Sequence, residues 1–197
     1  MANVRVASIE RDTAETAVRL QLNLDGSGRV QAQTGVGFFD HMLDHLGRHG
    51  LFDLTVTCRG DLHVDPHHTV EDVGLCFGQA LQHALADKTG IRRYGHCILP
   101  MDETLVTAAV DLSGRPAFVW QVALPPVLLG TFPAELAEEF WRAAAHQGRF
   151  NLHVVLHHGR NTHHIIEAVF KACARALRMA VELDPRVGGV PSTKGVL

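Results

Sequence analysis

Histidines are the residues in this sequence whose type and spacing point most directly to chemistry. The chain has 14 of them, against 18 lysines and arginines together. Imidazole is the most common metal ligand in proteins and titrates near neutral pH, so clustered histidines indicate metal binding or proton transfer. The clusters are His41, His45 and His49, then His67 and His68, then His157, His158, His163 and His164.

One histidine motif occurs twice. The sequence HHTVE at 67–71 recurs as HHIIE at 163–167, 96 positions later. On an α-helix, positions i and i+4 lie on the same face, whereas adjacent residues diverge by about 100°. Paired histidines also occur at solvated helix starts, but two copies of a costly polar pattern favour a ligand function. The first pair of candidate ligands is therefore His67 with Glu71 and the second is His163 with Glu167, while His68 and His164 point elsewhere.

The motif belongs to a longer internal repeat. Glu-Thr at 15–16 recurs at 103–104, 88 positions later, and the segment 49–54 resembles the segment 147–152, 98 positions later. Several matches in the same order with nearly constant spacing indicate an internally duplicated chain.

Each half has the periodicity of strands, a helix, strands and a helix. In the first half, alternating apolar residues predict strands within 4–24 and 51–58, the latter ending in a hairpin turn at 59–60. Apolar residues at helical spacing predict helices over 37–50 and from 66 to about 87.

Either half alone would expose one face of its sheet, and packing the two halves together buries both faces. The sequence therefore predicts an α+β fold of internally duplicated half-domains, with mixed sheets packed with helices and pseudo-two-fold symmetry. We expect a single domain over residues 1–197, made of two repeats at about 4–88 and 92–183.

Composition excludes several classes of protein. The formal net charge of −3 argues against a nucleic-acid-binding or membrane-surface protein. The 4 cysteines are too widely spaced for a thiolate zinc site or a disulfide framework, so we expect buried free thiols. A signal peptide and a membrane-spanning apolar stretch are both missing from the sequence. We expect a soluble, cytoplasmic protein.

The duplication also predicts further metal ligands. The 98-position shift sets His41 opposite Glu139 in matching helices. Four nitrogen and oxygen ligands leave open positions on an octahedral ion such as Mn²⁺, which favours catalysis, although Zn²⁺, Fe²⁺ and Co²⁺ accept similar ligands. Pseudo-symmetry suggests one site of His67, Glu71, His164 and Glu139 and another of His163, Glu167, His68 and His41, within one chain or between subunits.

Five segments carry a family resemblance. FFDHMLDH at 38–45, DPHHTVED at 65–72, DLSGRP at 111–116, NTHHIIEA at 161–168 and PSTKG at 191–195 resemble the imidazoleglycerol-phosphate dehydratase family, in the family's order and over nearly the whole chain. One departure is Glu139, since family members often have His at that position; a carboxylate can replace it as a ligand.

The resemblance implies a hydro-lyase of L-histidine biosynthesis that converts D-erythro-imidazole glycerol phosphate to imidazole acetol phosphate. It also implies two Mn²⁺ ions per active site and a homo-oligomer of 24 subunits built from trimers, with metal sites between subunits. The proton to be removed is not acidic, because no carbonyl group neighbours its carbon. Two metals on the ring nitrogens would favour an imidazolate that expels hydroxide, acting as Lewis acids and as a template.

Site roles follow from the same resemblance. Glu15 is expected to hold the glycerol hydroxyls, and proton transfer has four candidates, Glu71, Glu167, His45 and His49. Arginine can bind phosphate through two parallel hydrogen bonds, whereas lysine supplies a point charge. Arg93, Arg115, Lys171, Ser192 and Lys194 match family positions that contact the substrate. The full set of candidate substrate- and phosphate-binding residues is Glu15, His41, His45, His49, His67, Glu71, Arg93, Arg115, His163, Glu167, Lys171, Ser192, Thr193 and Lys194.

Two other functions use the same ligands. A dinuclear metallohydrolase would use the ions to activate water, and it would hydrolyse phosphate esters instead of dehydrating an imidazole substrate. A metal-storage protein would bind many ions per chain and would not need the phosphate-binding arginines and tail.

Overall fold

Two four-stranded sheets form the outer layers of this protein, and four helices lie between them. The structure is a computed structural model, and it describes residues 5–195 and 197. The first half contains β1 (Val6–Asp12), β2 (Thr16–Asn23), β3 (Val30–Gln33), α1 (Gly37–Gly50), β4 (Asp53–Gly60) and α2 (His67–Leu85). The second half contains β5 (Tyr94–Met101), β6 (Thr104–Asp111), β7 (Ala117–Gln121), β8 (Leu128–Leu129), β9 (Phe132–Pro133), α3 (Leu136–Gly148), β10 (Asn151–His158) and α4 (Thr162–Val181).

The two large sheets have the same topology. The first has the strand order β1-β2-β4-β3 and the second has the order β5-β6-β10-β7. In each sheet the last pair, β3 with β4 and β7 with β10, is parallel, and the other pairs are antiparallel. The small β8–β9 pair is an addition in the second half. The predicted α+β fold of paired half-domains is confirmed.

Each sheet buries one face against the helices. Alternate residues of β2, such as Val18, Leu20 and Leu22, are buried, and so are Val106 and Ala108 on β6. This period of two is what a half-buried strand requires, because successive side chains point to opposite faces. The alternation seen in the sequence therefore sets which face packs on the helices.

The helix ends keep the register of the repeat. Helix α1 is capped at its C-terminus by Leu51, whose φ of 54° is left-handed, and α3 is capped 98 positions later by Arg149, whose φ is 52°. In both cases the backbone N–H of the cap donates to carbonyls of the last helical turn, which stops the helix. Matching terminations hold the histidines of α1 and the acidic residues of α3 at equivalent positions.

The predicted hairpin at Arg59-Gly60 is wrong. Both residues belong to β4, where Gly60 pairs with Thr16 of β2. Because β2 and β3 already occupy both edges of β4, no free edge remains for a returning strand. Gly60 serves packing instead, since a Cβ there would collide with the side chain of Thr69 on α2. The chain after β4 leads directly into α2, so the first histidine motif lies next to the sheet edge.

Helix α2 packs on α3, and α1 packs on α4. Small residues bring α2 and α3 close together, since a Cβ on Gly74 would lie 2.7 Å from the carbonyl oxygen of Phe140. The ring of Phe140 packs against Phe77 of α2 and Phe170 of α4 and joins the two pairs in one core. These two pairings determine which predicted ligands meet within one chain.

The remaining predictions from composition concern cysteines and membranes. All four cysteines are free thiols; Cys97 is half-buried and the other three are buried. Within the described residues, no helix has both the length and the apolar character needed to cross a membrane.

Candidate metal and substrate site

The contact between α1 and α4 lines up two rows of functional side chains. Residues four apart share one face of a helix, so each row runs along the seam between the two helices. Near one end the seam carries imidazoles and a carboxylate, and farther along it carries cations. The row on α1 is His41, His45 and His49, and the row on α4 is His163, Glu167, Lys171 and Arg175.

Glu167 is the hub of this seam. Its Oε2 accepts hydrogen bonds from His41 Nε2 at 3.2 Å and His163 Nε2 at 3.0 Å. Its Oε1 lies 3.2 Å from His45 Nε2 and 2.6 Å from Lys171 Nζ. The Glu167 side chain is only 8% exposed, so these four partners compensate for a buried carboxylate.

The electrostatics hold these groups in the protonation states that metal binding needs. Burial raises the pKa of Glu167, but Lys171 and the neighbouring histidines outweigh it and lower that pKa to about 2. Burial lowers the pKa of His45 to about 4, against the opposing charge of Glu167. An ionised carboxylate and a neutral imidazole are the forms that bind metal ions.

The donor atoms converge as a metal site requires. Within residues 5–195 and 197, one group of three has all its ligand atoms within 4.8 Å of one another: His41, His45 and Glu167. The hydrogen bond from His163 to Glu167 adds a fourth donor at the same place. The roles predicted for His45 are substrate binding and proton transfer, although its i+4 spacing from His41 is a signal for a ligand. The Nδ1 atom of His45 is buried and has no hydrogen-bond partner among the residues that the structure describes.

His68 and His164, the second histidines of the motif, are held differently. His68 Nδ1 donates to Asp61 Oδ2 at 3.0 Å, and His164 Nδ1 donates to Glu103 Oε2 at 2.8 Å. These bonds raise the pKa of both imidazoles. A carboxylate on one ring nitrogen orients the ring and leaves the other nitrogen, Nε2, to bind a metal. Neither carboxylate is among the site residues predicted from the sequence.

Removing either orienting carboxylate is expected to weaken metal binding. In Asp61→Asn or Glu103→Gln, the new amide can donate to Nδ1, which would place the imidazole proton on Nε2. Loss of a carboxylate that orients a metal-binding histidine typically lowers metal affinity by roughly 10–100-fold. Competition with a fluorescent chelator measures the affinity, and Asp184→Asn, distant from both histidines, is the control. Equal affinities in all three variants would contradict the orienting role.

The local sequence explains where the two motifs begin. The Asn161 side chain caps α4 by accepting from the backbone N–H of His163 at 2.9 Å. At α2 the Asp65 carboxylate accepts from the backbone N–H of His67 at 2.7 Å. Capping by Asn or Asp satisfies N–H groups that the first helical turn leaves free. The two histidines of each motif therefore lie in the first turn of their helix, and the glutamate follows in the second turn.

The second predicted group lies on α2 and α3. The close contact between Gly74 and Phe140 puts the turn that follows Glu71 against the turn that follows Glu139. The Glu139 carboxylate accepts from Arg142 Nη1 at 2.6 Å. Within one chain, the structure thus groups His41 with His163 and Glu167, whereas His68 and His164 contact the carboxylates described above.

Glu15 and its repeat equivalent, Glu103, have different surroundings. Glu103 accepts from the backbone N–H groups of Arg160 at 3.1 Å and Asn161 at 2.8 Å. Hydrogen bonding, first from the second-motif histidine and then from this backbone, lowers the pKa of Glu103 to about 2. Glu15 is exposed at the β1–β2 turn, and its Oε1 lies 3.7 Å from His68 Nε2. The copies have diverged, and the first leaves its glutamate open to a ligand.

A cationic cavity adjoins the seam. The cavity has a volume of about 330 Å³ and is lined by His49, Lys171, Arg175 and residues 97–101 of β5. Burial lowers the pKa of His49, and Lys171 and Arg175 lower it further. Arg175 is not among the site residues predicted from the sequence, although its spacing four residues after Lys171 is a usable signal. The cavity is suited to an anionic group next to the Glu167 hub.

A second cationic region lies at the other end of α4. Arg93 donates to Asp111 Oδ1 at 2.7 Å and to the carbonyl oxygen of Pro191 at 2.9 Å. Its backbone N–H donates to the carbonyl of Ala180, which is 13 residues beyond Glu167 on the helix. At about 1.5 Å rise per residue, the two regions are about 20 Å apart. Arg93 anchors the C-terminal tail here, and its predicted contact with phosphate stays a prediction.

The other predicted phosphate ligands belong to this second region. Arg115 is exposed in the loop after β6, next to the residues that Arg93 holds. In the tail, Ser192 is half-buried and its hydroxyl accepts from the backbone N–H of Lys194 at 3.1 Å. Thr193 and Lys194 are exposed. The structure therefore separates Lys171 from Arg115 and the tail within one chain.

The chain is similar to known proteins over nearly its whole length. A family model described as imidazoleglycerol-phosphate dehydratase matches residues 34–177. A Ruegeria pomeroyi protein named imidazoleglycerol-phosphate dehydratase is 60% identical over 195 residues, which cover 98% of this chain and 100% of the relative. A Rhodopirellula baltica protein of the same name is 58% identical over 193 residues, covering 98% of this chain and 96% of the relative.

Solved structures show the same fold. A crystal structure of imidazoleglycerol-phosphate dehydratase from Staphylococcus aureus matches with a TM-score of 0.83 at 38% identity, covering 91% of this chain and 99% of that one. The enzyme from Pyrococcus furiosus, in complex with (S)-C348, matches with a TM-score of 0.81 at 33% identity, covering 96% and 100%. With its seam of imidazoles and carboxylate, this chain belongs to the imidazoleglycerol-phosphate dehydratase family and is a hydro-lyase.

Proposed function

We propose that this chain dehydrates D-erythro-imidazole glycerol phosphate to imidazole acetol phosphate in L-histidine biosynthesis. The main support is the seam between α1 and α4, where the donors around Glu167 run directly into the cationic cavity at Lys171. An imidazole ring and a phosphate on one small molecule need two such neighbouring environments. The family membership supports the same reaction.

We propose that the site holds two Mn²⁺ ions, because the donor set consists of imidazole nitrogens and carboxylate oxygens without sulfur. The convergence around Glu167 fits such ions, and so do His68 and His164, whose Nδ1 atoms are bonded to Asp61 and Glu103 and whose Nε2 atoms can face a metal. When bound, they would supply Lewis-acid chemistry at the ring of the substrate. The residues proposed to hold them are His41, His67, His68, Glu71, Glu139, His163, His164 and Glu167, with His45 as a further donor beside His41 and Glu167.

The remaining groups have distinct proposed tasks. Glu15 holds the glycerol hydroxyls, since its carboxylate is exposed beside His68. Lys171 and His49 hold the phosphate in the cavity. Four donors surround the carboxylate oxygens of Glu167, which favours Glu167 as a metal ligand over a proton-transfer group. The candidates for proton transfer are then Glu71, His45 and His49.

We further propose that the site is completed by a second copy of the chain. The region of Arg93 and Arg115 is about 20 Å from Glu167 along α4. Standard bond lengths make imidazole glycerol phosphate roughly half as long in its extended form. Both regions can act on one substrate molecule only if they come from different chains. An assembly of 24 subunits, a cytoplasmic location and the division into repeats at about 4–88 and 92–183 stay predictions.

Metal removal tests the proposed function. Dialysis against a chelator is expected to abolish dehydration, and Mn²⁺ is expected to restore it, with a calorimetric titration that saturates at about two ions per chain. The same preparations are assayed with a phosphate ester. Full turnover in the metal-free protein would contradict the proposal, hydrolysis without dehydration would favour a metallohydrolase, and binding of many ions would favour metal storage.

A further inference from the structure

Lys88 is a buried cation that the proposed reaction does not use. It follows α2, and only 6% of it is exposed. Its Nζ donates to the carbonyl oxygen of Leu112 at 3.0 Å. Within the part of the chain that the structure describes, Lys88 forms no ion pair with a carboxylate. Burying an ammonium group whose direct hydrogen-bond partner is a neutral carbonyl costs stability, so this position requires an explanation beyond packing.

Backbone strain accompanies this burial. Lys88 has a φ of 61° and Arg93 has a φ of 72°, both in the left-handed region that residues with a side chain rarely adopt. Strain of this kind tends to collect at sites of ligand binding. Both residues lie in the short connection between α2 and β5. Each of them forms a hydrogen bond to Leu112, in the loop that follows β6.

That loop leads to Arg115. The carbonyl of Leu112 accepts from Lys88, and the N–H of Leu112 donates to the carbonyl of Arg93 at 3.1 Å. The N–H and the carbonyl group of Leu112 are thus both bonded to residues outside the loop that follows β6. Ser113 Oγ then accepts from the backbone N–H of Arg115 at 3.3 Å and closes the turn. The path from β6 to Arg115 is therefore set by Lys88 and Arg93.

The tail that carries Ser192 and Lys194 meets the same loop. Arg93 holds the carbonyl of Pro191. A Cβ on Gly114 would lie 2.6 Å from the carbonyl carbon of Leu197 and 3.6 Å from Lys88 Nζ. The loop at Gly114 thus passes close to both the tail and the ammonium group, and a side chain at this position would collide with the tail.

The region has an excess of positive charge. Arg149 Nε donates to the carbonyl of Gly114 at 3.0 Å, so a further guanidinium group faces the loop. Burial lowers the pKa of Lys88 and the positive charges of Arg149 and Arg93 lower it further, while Asp111 raises it. A set of cations with one carboxylate favours the binding of an anion.

We propose that Lys88 is a positioning residue for the phosphate of the substrate. It holds the Leu112 carbonyl so that Arg115 and the tail converge, and it adds positive potential without touching the phosphate. This inference rests on the proposed function, in which the cavity at Lys171 and the region of Arg93 and Arg115 come from different copies and act on one substrate molecule, with Arg115 and the tail as additional contacts to its phosphate.

Lys88→Met tests the proposal, because Met keeps the length and removes the charge. The KM for the substrate and the inhibition constant of inorganic phosphate are both expected to rise about tenfold, with kcat and bound metal unchanged. The Tm is expected to stay or rise, since removal of an unpaired buried charge is often neutral or stabilising. Lys88→Arg is expected to restore phosphate affinity, and Arg92→Met, an exposed neighbour paired with Glu182, is the control.

The outcomes separate positioning from a structural role. A lower Tm with unchanged KM and unchanged phosphate inhibition would overturn the proposal. If Lys88→Met lowers both stability and affinity, Lys88→Arg decides: recovery of Tm without recovery of phosphate affinity also overturns it. Phosphate binding is measured by calorimetry as well. A chain without dehydratase activity would refute the proposed function, while the change in phosphate affinity would still decide the role of Lys88.

Discussion

Glu167→Gln is expected to lower kcat/KM by about a thousandfold or more and to reduce the bound metal, because a neutral amide is a poor ligand. One carboxylate at this position is within 3.2 Å of His41, His45, His163 and Lys171. Both carboxylate oxygens of Glu167 face nitrogen atoms of histidine or lysine, so the amide N–H₂ of Gln would replace an acceptor with a donor at one of these contacts. The Lys171 ammonium would also lose its counter-charge in a half-buried place. Steady-state kinetics and elemental analysis of the purified chain measure the two effects.

The control for this variant is Glu182→Gln, which removes an exposed carboxylate paired with Arg92 just after α4. Exposed ion pairs contribute little to stability, so this control should retain activity, metal and Tm. A Tm comparison shows whether Glu167→Gln remains folded. A folded Glu167→Gln protein that keeps near-normal turnover and its full metal content would refute the hub role of Glu167.

Mixing two inactive variants is expected to restore activity. In Glu167→Gln the imidazole end of the site is defective, and in Arg115→Ala the distant cationic region is defective. If each site takes these residues from different chains, random mixing at equal amounts leaves about a quarter of the sites with both native residues. Activity should then rise from almost none in either parent to about a quarter of the unmodified level.

The two variants are co-expressed with different tags, and the mixed assemblies are isolated by purification on both tags. Parent proteins carried through the same steps provide the background. Recovery of activity identifies a site shared between copies. If mixed assemblies stay as inactive as their parents, both regions belong to one chain, and the separation of about 20 Å along α4 would have to be spanned by movement of the tail.

Local patterns in the sequence predicted much of the fold. The spacing of apolar residues gave α1 its bounds, and the HHxxE repeats predicted the starts of α2 and α4. The duplication predicted the equivalence of His41 and Glu139 on α1 and α3. These features depend on neighbours within a few residues, where helical and strand periodicity follow from backbone geometry. The exception was Arg59-Gly60, because a turn signal does not reveal whether both edges of a strand are already paired.

By itself, then, the sequence determined the elements, the duplication and the candidate residues for binding metal and phosphate. Only the tertiary structure decided how these residues group. The bond between His41 and Glu167 joins positions 126 apart, and it exists because α1 packs on α4 and not on α2. The Asp61–His68 pair and the burial of Lys88 also depend on packing. Spacing along a chain fixes which side chains share a face, whereas the burial of apolar surface selects which faces meet.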